Sequence, residues 1–253
     1  MKIISQLTLV LLTIVAVTTS VSSAANECKI LPKVLSAYYD FNQQKTNNIE
    51  QQKQRLTATK KTQSFELHRY NNRVLQRDLS QGVNDIWSHN GNRLSLNRAF
   101  EQYQHSIEYQ SNELRYQPTW QDIFHLVAIP DLDKMQLVKQ KHAGCQLEQH
   151  YVQQTKTSEY QLVWLPNLQL VKFFELKNKS LTRQWSLTNY QGSVEQIAAL
   201  FTEYSRYQST DYADVGDNES TPFLAAMINQ GFSARQNTQA LHAHHQAHKY
   251  QFY

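Results

Sequence analysis

Apolar and polar side chains alternate in short runs from Ser64 to about residue 190, and this alternation constrains the fold more than any other feature of the sequence. A period of two is typical of a strand with one buried and one solvent-facing side. Turn signals separate the runs, and the Asn90-Gly91 pair is the strongest hairpin signal among them. The pattern therefore predicts about nine or ten antiparallel strands that follow one another as a meander.

Helical spacing is found at the flanks of the alternating region and in one interruption of it. Residues 30–41 carry an apolar helical face made by Leu31, Val34, Leu35, Tyr38 and Phe41. Further helices are predicted after Thr119, after Ser193, and between Pro222 and Gly231, from their capping and breaking residues. Together these elements predict an α+β protein. Its strongly curved antiparallel sheet, a half-barrel, wraps around helices, and two C-terminal helices and a disordered His-rich tail follow.

The same patterns divide the chain into five predicted segments. These are a signal peptide (1–24), an N-terminal helix with a Gln-rich segment (25–63), the half-barrel domain (64–192), a C-terminal helical pair (193–232) and a flexible His-rich tail (233–253).

The N-terminus predicts export. Lys2 precedes a mostly apolar run that ends in small residues suited to cleavage after Ala24 or Ala25. The alternative is a membrane anchor, but the run is shorter than the roughly 20 residues that a spanning helix needs. We therefore expect a periplasmic protein that is not integral to the membrane.

The two cysteines of the chain, Cys28 and Cys145, are expected to form one disulfide in an oxidising compartment. The alternative is that Cys145 is a thiol nucleophile with His142 as a nearby base. The formal net charge of +4 comes from scattered basic residues, which argues against a nucleic-acid partner. The sequence contains no GxSxG, HExxH, P-loop or Rossmann glycine pattern, so we expect no enzymatic activity.

Several predicted strands carry a cation in phase with their apolar residues. An unpaired buried cation is costly, so these positions either lie at the rim of the sheet or face a cavity. A cavity with apolar walls and a few guanidinium groups would suit an amphiphilic ligand with an anionic head. The candidate ligand-binding residues of this pattern are Phe65, Leu67, Arg69, Leu96, Arg98, Phe174, Arg183 and Trp185. A strand register wrong by one residue would remove the pattern.

Two stretches of the sequence resemble the periplasmic lipoprotein carriers of the LolA/LolB type. They are "GVNDIWSHNGNRLSLNRAFEQYQHSIEY" and "YQLVWLPNLQLVKFFELKNKSLTRQWSLTNY", which together cover less than a third of the chain. The resemblance implies an open half-barrel over helices with an apolar ligand cavity. It adds Trp87 and Trp164 to the candidate residues, and it places Leu96, Phe174 and Trp185 in such strands. The Gln-rich segment and the final helices and tail depart from the family pattern.

The C-terminal tail contains His242, His244, His245 and His248 within seven residues. On a helix their spacing suits Zn²⁺, Ni²⁺ or Cu²⁺, but a flexible tract binds such ions loosely, so no resident cofactor is expected. The sequence therefore favours a periplasmic, non-enzymatic binding or carrier protein for an amphiphilic or apolar ligand, such as a lipid or lipoprotein. The alternatives are a divalent-metal-binding protein that acts through the His tail and an envelope module that docks a protein partner.

Overall fold

A computed structural model describes residues 29–45, 62–114, 118–143, 146–215 and 222–229. Twelve strands in this part of the chain join into one sheet, in the order β12-β6-β5-β4-β3-β2-β1-β11-β10-β9-β8-β7. The first six strands are β1 (Val34–Lys45), β2 (Gln63–Tyr70), β3 (Arg73–Asp78), β4 (Val83–Asn90), β5 (Arg93–Phe100) and β6 (His105–Tyr109). The others are β7 (Gln136–Ala143), β8 (Gln146–Gln154), β9 (Ser158–Leu165), β10 (Leu170–Asn178), β11 (Leu181–Gln191) and β12 (Gln208–Asp211).

Two antiparallel meanders meet in the middle of this sheet. One runs from β1 to β6 and the other from β7 to β11, and the β1–β11 pairing joins them. The short β12 lies at one edge and runs parallel to β6, while β7 forms the other edge. The sheet is therefore open. The predicted antiparallel arrangement is confirmed for eleven of its twelve strands, instead of about nine or ten, and β12 is parallel to its neighbour.

The helix predicted over residues 30–41 is wrong, because Val34–Lys45 forms the central strand β1. Leu35, Ala37, Tyr39 and Phe41 are buried at a period of two, with exposed fractions of 0–2%. The sequence predicts a helix here because apolar residues such as Leu31, Leu35 and Tyr38 are also spaced three and four positions apart. A central strand is hydrogen-bonded on both sides and covered on both faces, so its sequence does not alternate cleanly.

The two faces of the sheet bury different sets of side chains. One face, which we call the core face, carries a large apolar cluster to which both meanders contribute. The opposite face, which we call the outer face, carries a smaller cluster of Leu75, Ile86, Ala99, Ile197, Phe201 and Tyr204. The last three of these residues belong to the helix α2 (Val194–Tyr204), which therefore packs on the outer face. Ser193 caps α2 by accepting a hydrogen bond from the backbone N–H of Gln196.

A six-residue helix, α1 (Trp120–His125), lies against the core face. Thr119 and Asp122 form a capping box, in which each side chain accepts a hydrogen bond from the backbone N–H of the other residue. The predicted helix after Thr119 is thereby confirmed. A third helix, α3 (Pro222–Asn229), contributes Phe223 and Leu224 to the core cluster.

Glycine is required at the turn between β4 and β5. Gly91 has a φ of 62°, in the left-handed region that favours glycine.

In the described part of the chain, every helix is too short or too polar to cross a lipid bilayer. The predicted signal peptide (1–24), the cysteines Cys28 and Cys145, and the tail (233–253) lie outside the described residues.

Truncation of two leucines separates the strand from the predicted helix. On a helix, Leu31 and Leu35 would share a buried face, but Leu31 is 63% exposed and Leu35 is 0% exposed. We expect Leu35→Ala to lower the free energy of unfolding by about 2–5 kcal/mol. Leu31→Ala should change it by about 0.5 kcal/mol or less. Urea unfolding measures the free energy of unfolding of both variants. Equal losses in the two variants would contradict the strand and support the predicted helix.

Candidate functional site

The seven apolar residues that were predicted to bind a ligand lie together on the core face. Phe65, Leu67, Trp87, Leu96, Trp164, Phe174 and Trp185 are all members of its one buried cluster, with exposed fractions of 0–6%. They pack directly on one another and on β1: the ring centroid of Trp185 lies 5.0 Å from that of Phe65 and 4.7 Å from that of Phe41. The structure therefore brings the seven predicted residues together on one face, and their side chains fill the space over that face.

The three predicted arginines do not converge, and each has a different partner. Arg69 is fully buried and donates four hydrogen bonds to main-chain carbonyls. Arg98 is buried and forms two hydrogen bonds of 2.7 and 2.8 Å with the carboxylate of Asp85, which stands opposite it on β4. Arg183 is half-buried and donates to the side chain of Gln43 at 2.9 Å.

Arg69 joins three separate segments of the chain. Its Nε donates to the carbonyl of Phe124 in α1 at 2.7 Å, and its Nη1 donates to those of Pro32 and Leu168 at 3.0 and 2.8 Å. Its Nη2 donates to the carbonyl of Gln169, in the turn between β9 and β10, at 2.8 Å. The guanidinium carbon also lies 3.7 Å from the centre of the Phe124 ring. Burial lowers the pKa of Arg69 to about 9, an effect that the neighbouring Tyr39 partly offsets.

The charge of Arg69 is thus balanced by dipoles and not by an anion. In the described part of the chain, no carboxylate lies within salt-bridge distance of its guanidinium. Carbonyl oxygens satisfy the N–H donors, but they leave a full positive charge inside an apolar core. An anionic group that reached this position would be a stronger partner for the guanidinium than the carbonyls.

The helix α1 contacts strands that are far apart in the sheet. The side-chain amide of Gln76 in β3 donates to the carbonyl of Ile123 at 2.8 Å, beside the bond from Arg69 in β2 to Phe124. On the other side, the ring centroid of His125 lies 5.0 Å from that of Trp164 in β9. Five strand positions separate β3 from β9, so α1 covers the core cluster between the two meanders.

Two side chains of the core cluster carry a buried polar atom with no hydrogen-bond partner among the described residues. The atoms are the hydroxyl of Tyr39 and the indole Nε1 of Trp87, and both side chains are almost completely buried. Burial raises the pKa of Tyr39 well above its usual range, against the opposing effect of Arg69. Unsatisfied buried donors are costly, so these two atoms are available to a polar group that enters the core.

The outer face holds a chain of hydrogen bonds that resembles a catalytic triad in its residue types. Ser36 Oγ lies 2.8 Å from His68 Nδ1, and His68 Nε2 lies 3.0 Å from Glu66, which also accepts a 2.6 Å hydrogen bond from Arg77. Ser36 and His68 are only 3% and 4% exposed. A nucleophile has to reach a substrate, so we interpret this chain as a structural network.

Sequence reasoning missed the partners of the arginines for a physical reason. Arg69 binds main-chain carbonyls, which have no residue signature, and the carboxylate opposite Arg98 becomes visible only once the β4–β5 register is known. Asp85 lies midway between Val83 and Trp87, two residues from each, so on a strand it falls on the same face as they do. This spacing was the available signal in the sequence for a buried carboxylate.

The metal prediction receives no support within the described residues, where no group of three or more His, Cys, Asp or Glu side chains could hold an ion. The predicted ligands His242, His244, His245 and His248 lie outside those residues, so metal binding by the tail stays a prediction. The same holds for the disulfide and for the docking of an envelope partner.

The described part of the chain forms an open twelve-stranded sheet, and α1 packs on its filled core face. No protein-family model and no curated protein matches the chain. Two solved structures of PNGF-II are similar at TM-scores of 0.35 and 0.32, with 9% and 7% identity. They cover 73% and 70% of this chain, which spans about a third (32% and 31%) of the length of PNGF-II.

A LolA superfamily protein from Nitrosomonas europaea, NE2245, is similar at a TM-score of 0.28 and 8% identity, over 67% of this chain and 90% of that chain. Likenesses at these TM-scores do not assign the chain to a family.

The burial of His125 makes α1 sensitive to acid. Burial, and next to it the charge of Arg69, lowers the pKa of His125 to about 4, against the smaller opposing effect of Asp122. The unfolded chain, with a histidine pKa of about 6.5, binds the proton more readily than the folded protein. The free energy of unfolding should therefore fall as the pH drops from about 6.5 to about 4, by up to about 3 kcal/mol.

Replacement of His125 by phenylalanine tests this acid sensitivity, because it keeps a ring against Trp164 and removes the proton site. We expect the variant to lose less stability than the wild type between pH 6.5 and 4.5 in urea unfolding. The exposed His142→Gln serves as the control and should follow the wild type. Parallel losses in all three proteins would show that His125 does not contribute, since the carboxylates titrate equally in each.

Proposed function

We propose that this chain is an exported, non-enzymatic carrier that holds the apolar part of an amphiphilic ligand against the core face of its sheet. In this proposal α1 is the cover of the binding site, and it lies closed over the core face. The observation that carries the proposal is the attachment of α1 by the buried Arg69, which has no carboxylate within salt-bridge distance among the described residues.

The first support is the curvature that α1 requires. Five strand spacings amount to about 24 Å in a flat sheet, whereas a six-residue helix is about 9 Å long. Since α1 contacts both β3 and β9, these contacts favour strands that curl around it. We propose that this curl gives the half-barrel expected from the sequence.

The second support is the chemistry of the core face. Three tryptophans and two phenylalanines of the candidate set belong to the same buried cluster as Ile123 and Phe124 of α1, and such rings provide a large apolar surface for a hydrocarbon chain. Displacement of α1 would free this surface without unfolding the sheet, because the sheet is held by its own ladder of hydrogen bonds.

The third support is the behaviour expected of Arg69. When α1 leaves, the guanidinium loses the carbonyl of Phe124 and becomes available to another acceptor. A carboxylate or phosphate headgroup would then replace a neutral acceptor with a charged one, which favours the open, ligand-bound state. The unpaired Tyr39 hydroxyl lies in the same buried face and provides a further donor.

An apolar fluorescent probe tests whether Arg69 holds the cover. Arg69→Met keeps most of the side-chain stem and removes all the donors, so α1 should open more easily. We expect the variant to bind 1-N-phenylnaphthylamine about tenfold more tightly than the wild type, which corresponds to about 1.4 kcal/mol. Fluorescence titration measures the affinity, and urea unfolding verifies that the variant folds.

Two further variants sharpen this experiment. Arg69→Lys retains the charge with fewer donors and should fall between the wild type and Arg69→Met. Arg93→Met removes an exposed arginine of β5 and should bind like the wild type. If the wild type and Arg69→Met both fold and neither binds the probe, the carrier function is rejected. Native mass spectrometry of the purified protein would show a lipid that copurifies.

A further inference from the structure

The outer face carries a polar groove that the proposed carrier function does not use. It has a volume of about 350 Å³ and lies over β3 to β6, beneath the segment that follows α2. Its side-chain lining includes Arg73, Ser88, Ser95, Asn97, Glu108 and Tyr207. The groove is separated from α1 and the core cluster by the sheet itself.

The register of the strands explains why these side chains lie side by side. Arg73 of β3 pairs with Ser88 of β4, and Ser88 pairs with Ser95 of β5, so the three form one row across the sheet. Asn97 lies two residues after Ser95 on the same face, and it pairs with Glu108 of β6. A cation therefore lies at one end of the groove, and hydroxyl and amide groups follow it.

Arg73 is held in place by an aromatic ring, and none of the described carboxylates pairs with it. Its guanidinium carbon lies 4.7 Å from the centre of the Phe201 ring in α2, a cation–π contact that fixes the side chain. Across the described ranges, no carboxylate lies within salt-bridge distance of Arg73. Three strand spacings, about 14 Å, separate it from Glu108 along the sheet. Partial burial lowers the pKa of Arg73, which is the direction expected of a cation without an anion beside it.

Asn97 provides an independent sign that the groove is incomplete. Its Oδ1 atom is buried and has no hydrogen-bond partner within the described part of the chain. An amide oxygen in this position accepts a hydrogen bond from any hydroxyl that enters the groove. The serine hydroxyls beside it both donate and accept, so the lining matches a ligand that carries several hydroxyl groups.

We propose that this groove binds a small polyhydroxylated ligand with a carboxylate, of the sugar-acid class. The carboxylate pairs with the guanidinium of Arg73, whose planar donors suit a bidentate contact. The hydroxyls of the ligand bond to Ser88, Ser95 and Asn97, and Tyr207 offers an aromatic edge or face to its ring. The volume of the groove is at the lower end of that of small-molecule sites and accommodates a monosaccharide.

Calorimetric titration with three probes tests the ligand class. Glucuronate should bind at least tenfold more tightly than glucose, because only glucuronate has a carboxylate for Arg73. Inorganic phosphate should bind more weakly than glucuronate, because it has no hydroxyl pattern for the serines. The absence of glucuronate binding would overturn the site, equal binding of glucose would overturn the role of the carboxylate, and tighter binding of phosphate would overturn the sugar class.

Substitutions locate the ligand in the groove. Arg73→Gln should weaken glucuronate at least tenfold, to the level of glucose, and should leave glucose unchanged. Asn97→Ala should weaken both sugars, while Arg93→Gln, on an exposed position of β5, should change neither. Urea unfolding verifies that each variant is folded. Unchanged glucuronate affinity in a folded Arg73→Gln would overturn the assignment. Probe binding to the core face should not respond to any of these changes.

Discussion

The positive charge of Arg69 inside the apolar core is the constraint on which the rest of this structure depends. A buried cation without hydrogen bonds would cost far more than a domain of this size can tolerate. Its four hydrogen bonds reach the carbonyls of Pro32, Phe124, Leu168 and Gln169, and these belong to three segments that are distant in sequence. The need to provide hydrogen-bond acceptors for one guanidinium thus brings three parts of the chain together over the core face. They are the segment just before β1, the helix α1 and the turn between β9 and β10.

This arrangement differs from the way in which the second buried arginine is satisfied. Arg98 has a carboxylate from the neighbouring strand, and the charge of Asp85 raises the pKa of Arg98 above its usual range against the effect of burial. Loss of one partner of such a buried ion pair strongly destabilises the folded protein, because the other charge is left unpaired. The pair therefore favours the observed register of β4 and β5. The carbonyls around Arg69 lack that charge. In the proposed function a ligand acceptor replaces one of them, at a lower cost than the loss of Asp85 from Arg98.

Most of the strands and the apolar residues of the candidate site could be predicted from the sequence, whereas the partners of its arginines could not. Strict alternation between Ser64 and residue 190 was sufficient to locate the strands on either side of Asn90-Gly91, and Thr119 was sufficient to locate α1. The central strand β1 was missed because its apolar residues satisfy both periodicities, and because Ser36, a polar side chain on its outer face, is also buried. The edge strand β12 was missed because Gln208–Asp211 is short, polar and largely exposed. The partners of Arg69 could not be predicted, since a carbonyl is present at every residue.

Hydrogen exchange at the backbone amide of Ile123 tests the central claim most directly. This amide donates to the carbonyl of Thr119 and is protected only while α1 is in place. If α1 is a cover that opens independently, its exchange will report a free energy of opening well below that of global unfolding, while the amides of β1 and β11 report the global value. Exchange of Ile123 with the same free energy as β1 would contradict the account, because α1 would then leave the core face only when the whole sheet unfolds.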